Sequence, residues 1–374
     1  MYPPKPFKLE RYFARWEFQV PFALGSSDCE TMSVDELLSL QPGSLDRLLT
    51  LRLGYTESAG HPALREAVAS LYRTIAPDHV VVHSGAEEAI YLFMLATLQP
   101  GDHVIVQTPC YQSLAEVARS LGADISPWRG EFGAGWHFSL AALRPLLRPG
   151  TRLLVINTPH NPTGFHFSHD DFATLIDEAA KRHITVFCDE VYRESEYDPG
   201  GRLPAACDLH PGAVSLGVMS KTYGLAGLRI GWLASRDRAL LERVQALKDY
   251  TTICSSAPAE LLAEIALRHR EKLVERTRAI LLRNLGLLDE FFAGHAGLFR
   301  WQRPAAGPVA FPRLLRGDVD AFCRQAAAAA GVMLIPGTLF DDAENHFRVG
   351  FGRANLPQAL AQLSGWLTRA HLKT

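Results

Sequence analysis

The chain has 374 residues, of which 47% are hydrophobic and 21% charged, and its formal net charge is -2. That length suits two domains, or one large α/β domain with a smaller appendage, and the near-neutral balance gives no electrostatic case for nucleic acid or an anionic membrane surface. Six cysteines, at positions 29, 110, 188, 207, 254 and 323, show neither a CxxC pair nor zinc spacing, so no metal site and a reduced, cytoplasmic setting are expected.

The opening stretch, MYPPKPFKLERYFARWEF, is polar and aromatic without the apolar core of a secretion signal. No uninterrupted apolar run reaches the length of a membrane span. Next comes an unusually polar loop, LGSSDCETMSVDELL (24–38), carrying Asp28 and Glu30. From about residue 45 to 250, short β-branched apolar runs recur: HVVVH (79–83), HVIVQ (103–107), RLLVIN (152–157), ITVFCDE (184–190), AVSLGVM (213–219) and RIGWLAS (229–235). None alternates with period two, which predicts strands buried on both faces, as in a parallel sheet covered by helices. Helical patterns fall between them, at 87–98, 111–121 and 168–182, the last opened by a Ser168 cap. This alternation predicts an α/β fold with a mostly parallel sheet sandwiched by helices. Beyond Tyr250 the pattern predicts one long helix over 258–292. A small α+β part follows, with GPVAF (307–311), a helix near 317–330, GVMLIP (331–336) and HFRVGF (346–351). The expected division is a large domain, 45–255, and a small one built from 1–44 with 256–374.

Functional residues of an open α/β sheet collect at the carboxyl ends of its strands. After HVVVH stands SGAEEAIYLF, a turn whose free amides at Ala86 and Glu87, after Gly85, suit a phosphate at a helix start. After HVIVQ comes Tyr111, either a half-buried aromatic or a stacking partner for a flat ring. RLLVIN leads into TPHNPTG, a proline-stiffened turn around Asn161. ITVFCDE ends in Asp189 and Glu190, with Tyr192 following, and an acid at the end of a buried strand is costly unless it has a partner. AVSLGVM runs into Ser220 and Lys221, then the glycines 224 and 227, and Arg229. Pyridoxal 5'-phosphate uses this whole set. Its aldehyde needs a lysine for a Schiff base, its pyridine nitrogen a carboxylate, and its phosphate amides and a cation. Of seven lysines (5, 8, 181, 221, 248, 272 and 373), only Lys221 stands at a strand end in a Gly-rich loop; the others fall in polar helices or tails.

The chain also resembles the class I/II aminotransferases, the fold type I family of pyridoxal-phosphate enzymes. The likeness rests on YTESAG (55–60) with LR (64–65), SGAEEA, TPCY, NTPHNPTG, CDEVY, SKTYGLAGLRIG and HFRVGF, which run in the family's order from residue 55 to 351. The resemblance implies a homodimeric transferase exchanging amino groups between an amino acid and a 2-oxo acid. It implies that Lys221 bonds the cofactor and carries the proton between carbons, that Asp189 keeps the ring nitrogen protonated, and that Tyr192 and Asn161 hold the ring oxygen. Tyr111 would stack on the ring, while Gly85, Ala86, Glu87, Ser220 and Arg229 would hold the phosphate. Tyr55 would reach the phosphate of the neighbouring subunit. Arg348 would clamp the substrate carboxylate, with Asn161, Gly25 and Asp28 beside the substrate; its rival Arg353 reads instead as a solvated arginine near a helix cap.

Two departures stand out. Val218 occupies a position where the family often has a hydroxyl that donates to the phosphate. The loop with Asp28 and Glu30 replaces an ordinary Gly-Pro type and is read either as solvated surface or as a pocket for a basic side chain. Such a loop is similar to that of capreomycidine synthase, a family relative that cyclises a hydroxylated arginine, so elimination or cyclisation on an arginine-derived amino acid is the alternative expectation.

Overall fold

The computed structural model describes residues 3–370, so Lys373 of the lysine set lies outside the described residues. Seven strands make the central sheet: β1 (Val80–His83), β2 (His103–Thr108), β3 (Asp124–Arg129), β4 (Thr151–Asn157), β5 (Thr185–Asp189), β6 (Ala213–Val218) and β7 (Gly231–Ser235). Their spatial order is β1-β7-β6-β5-β4-β2-β3. The pairs among β2 to β6 are parallel, whereas β7 runs antiparallel to both β1 and β6. The sheet is mostly parallel, as expected, with β7 the antiparallel member. The Gly-rich connection from 219 to 230 carries only a short 3-10 turn, Ala226–Leu228, and no crossover helix, and the chain returns beside β6 in the antiparallel sense.

Successive residues of each inner strand point to opposite faces, and both faces are covered. Val155 and Phe187 face a layer made by the helices Ala86–Thr97, Ser113–Ser120 and Arg238–Lys248, where Phe187 stacks on Phe93 at 4.5 Å. Leu154, Ile156 and Val186 face the opposite layer, packed by Phe172, Leu175 and Ile176 of the helix His169–Lys181. A Phe187→Ala change would remove about 3–5 kcal/mol of packing. β3 was not expected from the sequence, because DISPWR is mostly exposed and carries Pro127. It is an edge strand, where a missing N–H is tolerated.

The expected long helix over 258–292 is broken. His269 (φ -115°, ψ 20°) separates Ala257–Arg268 from Arg270–Ala293. The break lets the first helix pack beside Pro62–Ala69 while Leu281, Leu285 and Leu288 of the second enter a separate core. That core also holds Leu24 of the N-terminal arm, the strands Val309–Ala310 and Phe347–Gly350, and the helix Leu356–Arg369. The helix expected near 317–330 consists of Val319–Gln325 and a π-turn, Ala326–Ala330. Lys248, assigned by the sequence to a polar helix, is fully buried, and its Nζ donates to the Ser58 carbonyl at 2.5 Å. No helix among the described residues is long and apolar enough to cross a membrane.

Candidate active site

Parallel β2, β4, β5 and β6 all end at one edge of the sheet, and antiparallel β7 begins there. In register, Asn157 of β4 lies beside Asp189 of β5, and the Asn157 amide nitrogen donates to the Asp189 carbonyl at 2.9 Å. The Asn157 side-chain oxygen accepts from the Asn161 backbone amide at 2.6 Å, which fixes the turn after β4. A cavity of about 340 Å³ opens at this edge. Of the residues singled out in the sequence, Asp28, Ala86, Glu87, Tyr111, Asn161, Asp189, Tyr192, Ser220, Lys221 and Arg229 line it.

The Lys221 ammonium donates to Ser27 Oγ at 2.9 Å and stands 5.8 Å from the centre of the Tyr192 ring. Burial pushes the Asp189 carboxyl up to about 7, against the lowering influence of the Val191 amide and of Lys221. Glu87, also lifted to about 7 by burial, accepts from Ser113 Oγ at 3.1 Å. Arg229 adopts the left-handed conformation (φ 53°), and its Nη1 lies 3.5 Å from Ser220 Oγ. Two glycines permit this arrangement. A Cβ on Gly231 would lie 2.8 Å from the Gly85 carbonyl carbon, and one on Gly85 would lie 2.4 Å from Arg229 Nη2. The guanidinium therefore abuts the start of the helix Ala86–Thr97, joining a cation to free amides.

These residues suit pyridoxal phosphate on independent observations. The Gly85–Gly231–Arg229 cradle fits an anion, a buried carboxyl lines the same cavity as a lysine, and the buried Tyr192 Oη has no partner. A buried hydroxyl left without a partner costs about 1–3 kcal/mol unless a ligand supplies one. Val218, three residues before the lysine, also lines the cavity and offers no hydrogen bond.

Arg348, Gly25 and Gly85 do not line the cavity, and Tyr55 stands elsewhere. The Arg348 guanidinium is fully covered. Its Nε and Nη2 donate to the Gly25 carbonyl at 3.0 and 2.9 Å, and its Nη1 to Asn161 Oδ1 at 3.0 Å. Of its five N–H groups, three are so engaged and one remains on each Nη. Tyr55 is 90% exposed and borders a second cavity with Arg47, His61 and Glu260.

The structure corrects the solvated-surface reading of the acidic loop. Asp28 is not solvated surface, because its carboxylate takes a bidentate pair from Arg353 at 3.1 and 2.8 Å. Arg353 is accordingly an ion-pair partner and not a free, solvated residue. Glu30 accepts from the Ala354 amide at 2.6 Å and does not line the cavity. The helix Lys8–Trp16 was missed altogether. Leu9, Glu10, Phe13 and the following Glu17 all line the cavity, as do Ser26 and Ser27. The available signal was spacing: positions 10, 13 and 17 lie on one helical face.

The sequence model of the family described as Aminotransferase class I and II matches residues 24–363. Capreomycidine synthase of Streptomyces vinaceus is 33% identical over 362 residues, covering 95% of this chain and 92% of that protein. A solved PLP-dependent aminotransferase from Streptococcus suis superposes with a TM-score of 0.91 at 30% identity, covering 97% of this chain and 98% of that one. The PLP-dependent cyclase OrfR superposes with a TM-score of 0.89 at 30% identity, covering 99% of each chain.

Proposed function

The chain belongs to the class I and II aminotransferases, pyridoxal-phosphate enzymes of fold type I that act on an amino acid and a 2-oxo acid, and we propose that the cavity at the carboxyl edge of the sheet is its active site. The observation that carries this reading is the placing of Lys221 and the buried Asp189 in one cavity beside the Arg229 cradle. Bound there, the cofactor supplies an electron sink for the bonds at the substrate Cα.

The roles of the chain's own residues follow from their chemistry. Lys221 Nζ holds the cofactor covalently and, once released, moves the proton at the substrate Cα. The Asp189 carboxylate would pair with the ring nitrogen and keep it protonated. Asn161 Oδ1 is occupied by Arg348, so its Nδ2 is the group left to donate to the ring oxygen, together with Tyr192 Oη. The two unused Nη hydrogens of Arg348 suit a carboxylate, whose two oxygens match a guanidinium fork, once the groups covering it give way to substrate. Tyr111 covers the ring, its hydroxyl donating to Glu10 at 3.2 Å. Ala86, Glu87, Ser220 and Arg229 hold the phosphate.

We further propose a cytoplasmic homodimer in which Tyr55 completes the partner's phosphate site. The exposed apolar face around Leu49, Leu53, Tyr55 and Tyr250 supports this, because a monomer gains nothing by leaving such residues in water. Residues 45–255 would form the cofactor-binding unit, and 1–44 with 256–374 the smaller one.

The second reading, elimination and ring closure on an arginine-derived amino acid, is favoured by the two relatives named a synthase and a cyclase. A single-turnover assay without 2-oxo acid acceptor separates the two. Amino-group transfer yields one equivalent of 2-oxo acid per site and then stops. Continued turnover with water loss and a cyclic product would replace the first reading by the second.

A further inference from the structure

The cavity is lined by charges of both signs. Lys221 and Arg229 line it, as does Asp28, which is paired with Arg353. The helix Lys8–Trp16 and its C-cap add two more carboxylates, Glu10 and Glu17, and the Phe13 ring. Asp28 is already neutralised by Arg353, but Glu17 receives no hydrogen bond and no ion pair among the described residues. Glu17 also sits at the helix C-terminus, where the macrodipole disfavours an acid by about 0.3–1 kcal/mol. Burial raises its pKa further above the ordinary carboxylate range. Only the charges of Arg353 and Lys221, neither of them paired with Glu17, work against this placement.

A second feature lines the same cavity. Ser26 is 6% exposed, lines the cavity, and its Oγ has no partner. A buried hydroxyl in a cavity that also holds two carboxylates can accept from a multi-donor cation, and the Phe13 ring can carry the apolar stem leading to one. We propose that Glu10 and Glu17, with Ser26, form the site that reads the far end of the substrate side chain and selects a cationic one, a guanidinium or ammonium at the end of an aliphatic stem. The inference rests on the reading of this cavity as an amino-acid site. It assigns the charged part of recognition to Glu10 and Glu17 of the N-terminal arm, with Ser26 of the 24–38 loop beside Asp28 and Glu30, to which the sequence pointed.

The test is equilibrium titration of the cofactor-loaded protein with L-arginine and with L-citrulline, its uncharged isostere, read by visible absorbance and by thermal shift. Wild type should bind arginine about tenfold or more tightly than citrulline, the scale of one hydrogen bond between charged groups. Glu17→Gln and Glu10→Gln should each shrink that ratio, and the double variant should bring it close to one. Glu30→Gln, whose carboxylate is turned away from the cavity, should leave it unchanged. Glu17→Lys should reverse the order, favouring L-2-aminoadipate over arginine. Equal binding of arginine and citrulline by wild type, or a preference that survives the double variant, would overturn the assignment while leaving the amino-acid site intact. A spectrum that responds to no amino acid, L-alanine included, would instead remove the amino-acid site and this inference with it.

Discussion

Asp189→Asn in the cofactor-free protein probes the site without any turnover. Burial holds the Asp189 carboxyl at about 7 in place of its ordinary 3.8. The folded chain thus retains a proton that the unfolded chain releases between those values. This group's stabilising contribution is complete below about pH 4 and is lost as pH rises through about 7. The slope is ~1.4 kcal/mol per pH unit, at most ~4 kcal/mol over the whole window. Glu87 adds a parallel contribution between its ordinary 4.5 and about 7. Asparagine is nearly isosteric and keeps an acceptor for the Val191 amide, which donates to Asp189 Oδ1 at 3.1 Å. Urea unfolding at fixed protein concentration, from about pH 5 to 8, should show wild type losing stability more steeply than Asp189→Asn below about pH 7, with parallel curves above. Saturating pyridoxal phosphate should flatten wild type only, because a cation opposite Asp189 favours its charged form. Parallel curves for the two cofactor-free proteins across the whole range would refute the claim that a buried, proton-holding Asp189 waits at this edge.

Arg348→Lys keeps the charge but loses the fork, so the KM for amino acids should rise about 10- to 100-fold with kcat less affected; an unchanged KM would assign the carboxylate clamp elsewhere. Val218→Thr adds a hydroxyl next to the phosphate cradle and should slow cofactor loss on dialysis, by about three- to tenfold for one added hydrogen bond. Tyr55→Phe should weaken cofactor retention about tenfold, also the scale of one hydrogen bond, although Tyr55 lies outside its own chain's cavity. Retention equal to wild type would remove it from the partner's site.

The sheet was legible in the sequence because its inner strands are buried on both faces, and burial writes itself as unbroken runs such as RLLVIN. β3 was not, since an edge strand with Pro127 needs neither a continuous apolar run nor every backbone donor. The residues at strand ends were legible for the same reason: once Asp189 and Lys221 end or follow strands of one sheet, topology brings them together. What failed depends on long-range partners. Asp28 meets Arg353 across 325 positions, and no local pattern announces that pairing. The helix Lys8–Trp16 reads as a short amphipathic segment. That its Glu10–Phe13–Glu17 face closes a cavity is decided by where the arm docks, through Phe7 against Tyr111 and Lys8 against Asp341. The break at His269 likewise follows from two cores that claim neighbouring helices.

Every role proposed for this site depends on Lys221 as the residue that bonds the cofactor. Borohydride reduction of the pyridoxal-phosphate-loaded protein, followed by peptide mapping, tests this directly. A single pyridoxyl tag is expected on the peptide containing Ser220-Lys221, absent from Lys221→Ala. A tag on Lys248, Lys5 or any other lysine, or one that persists in Lys221→Ala, would contradict it.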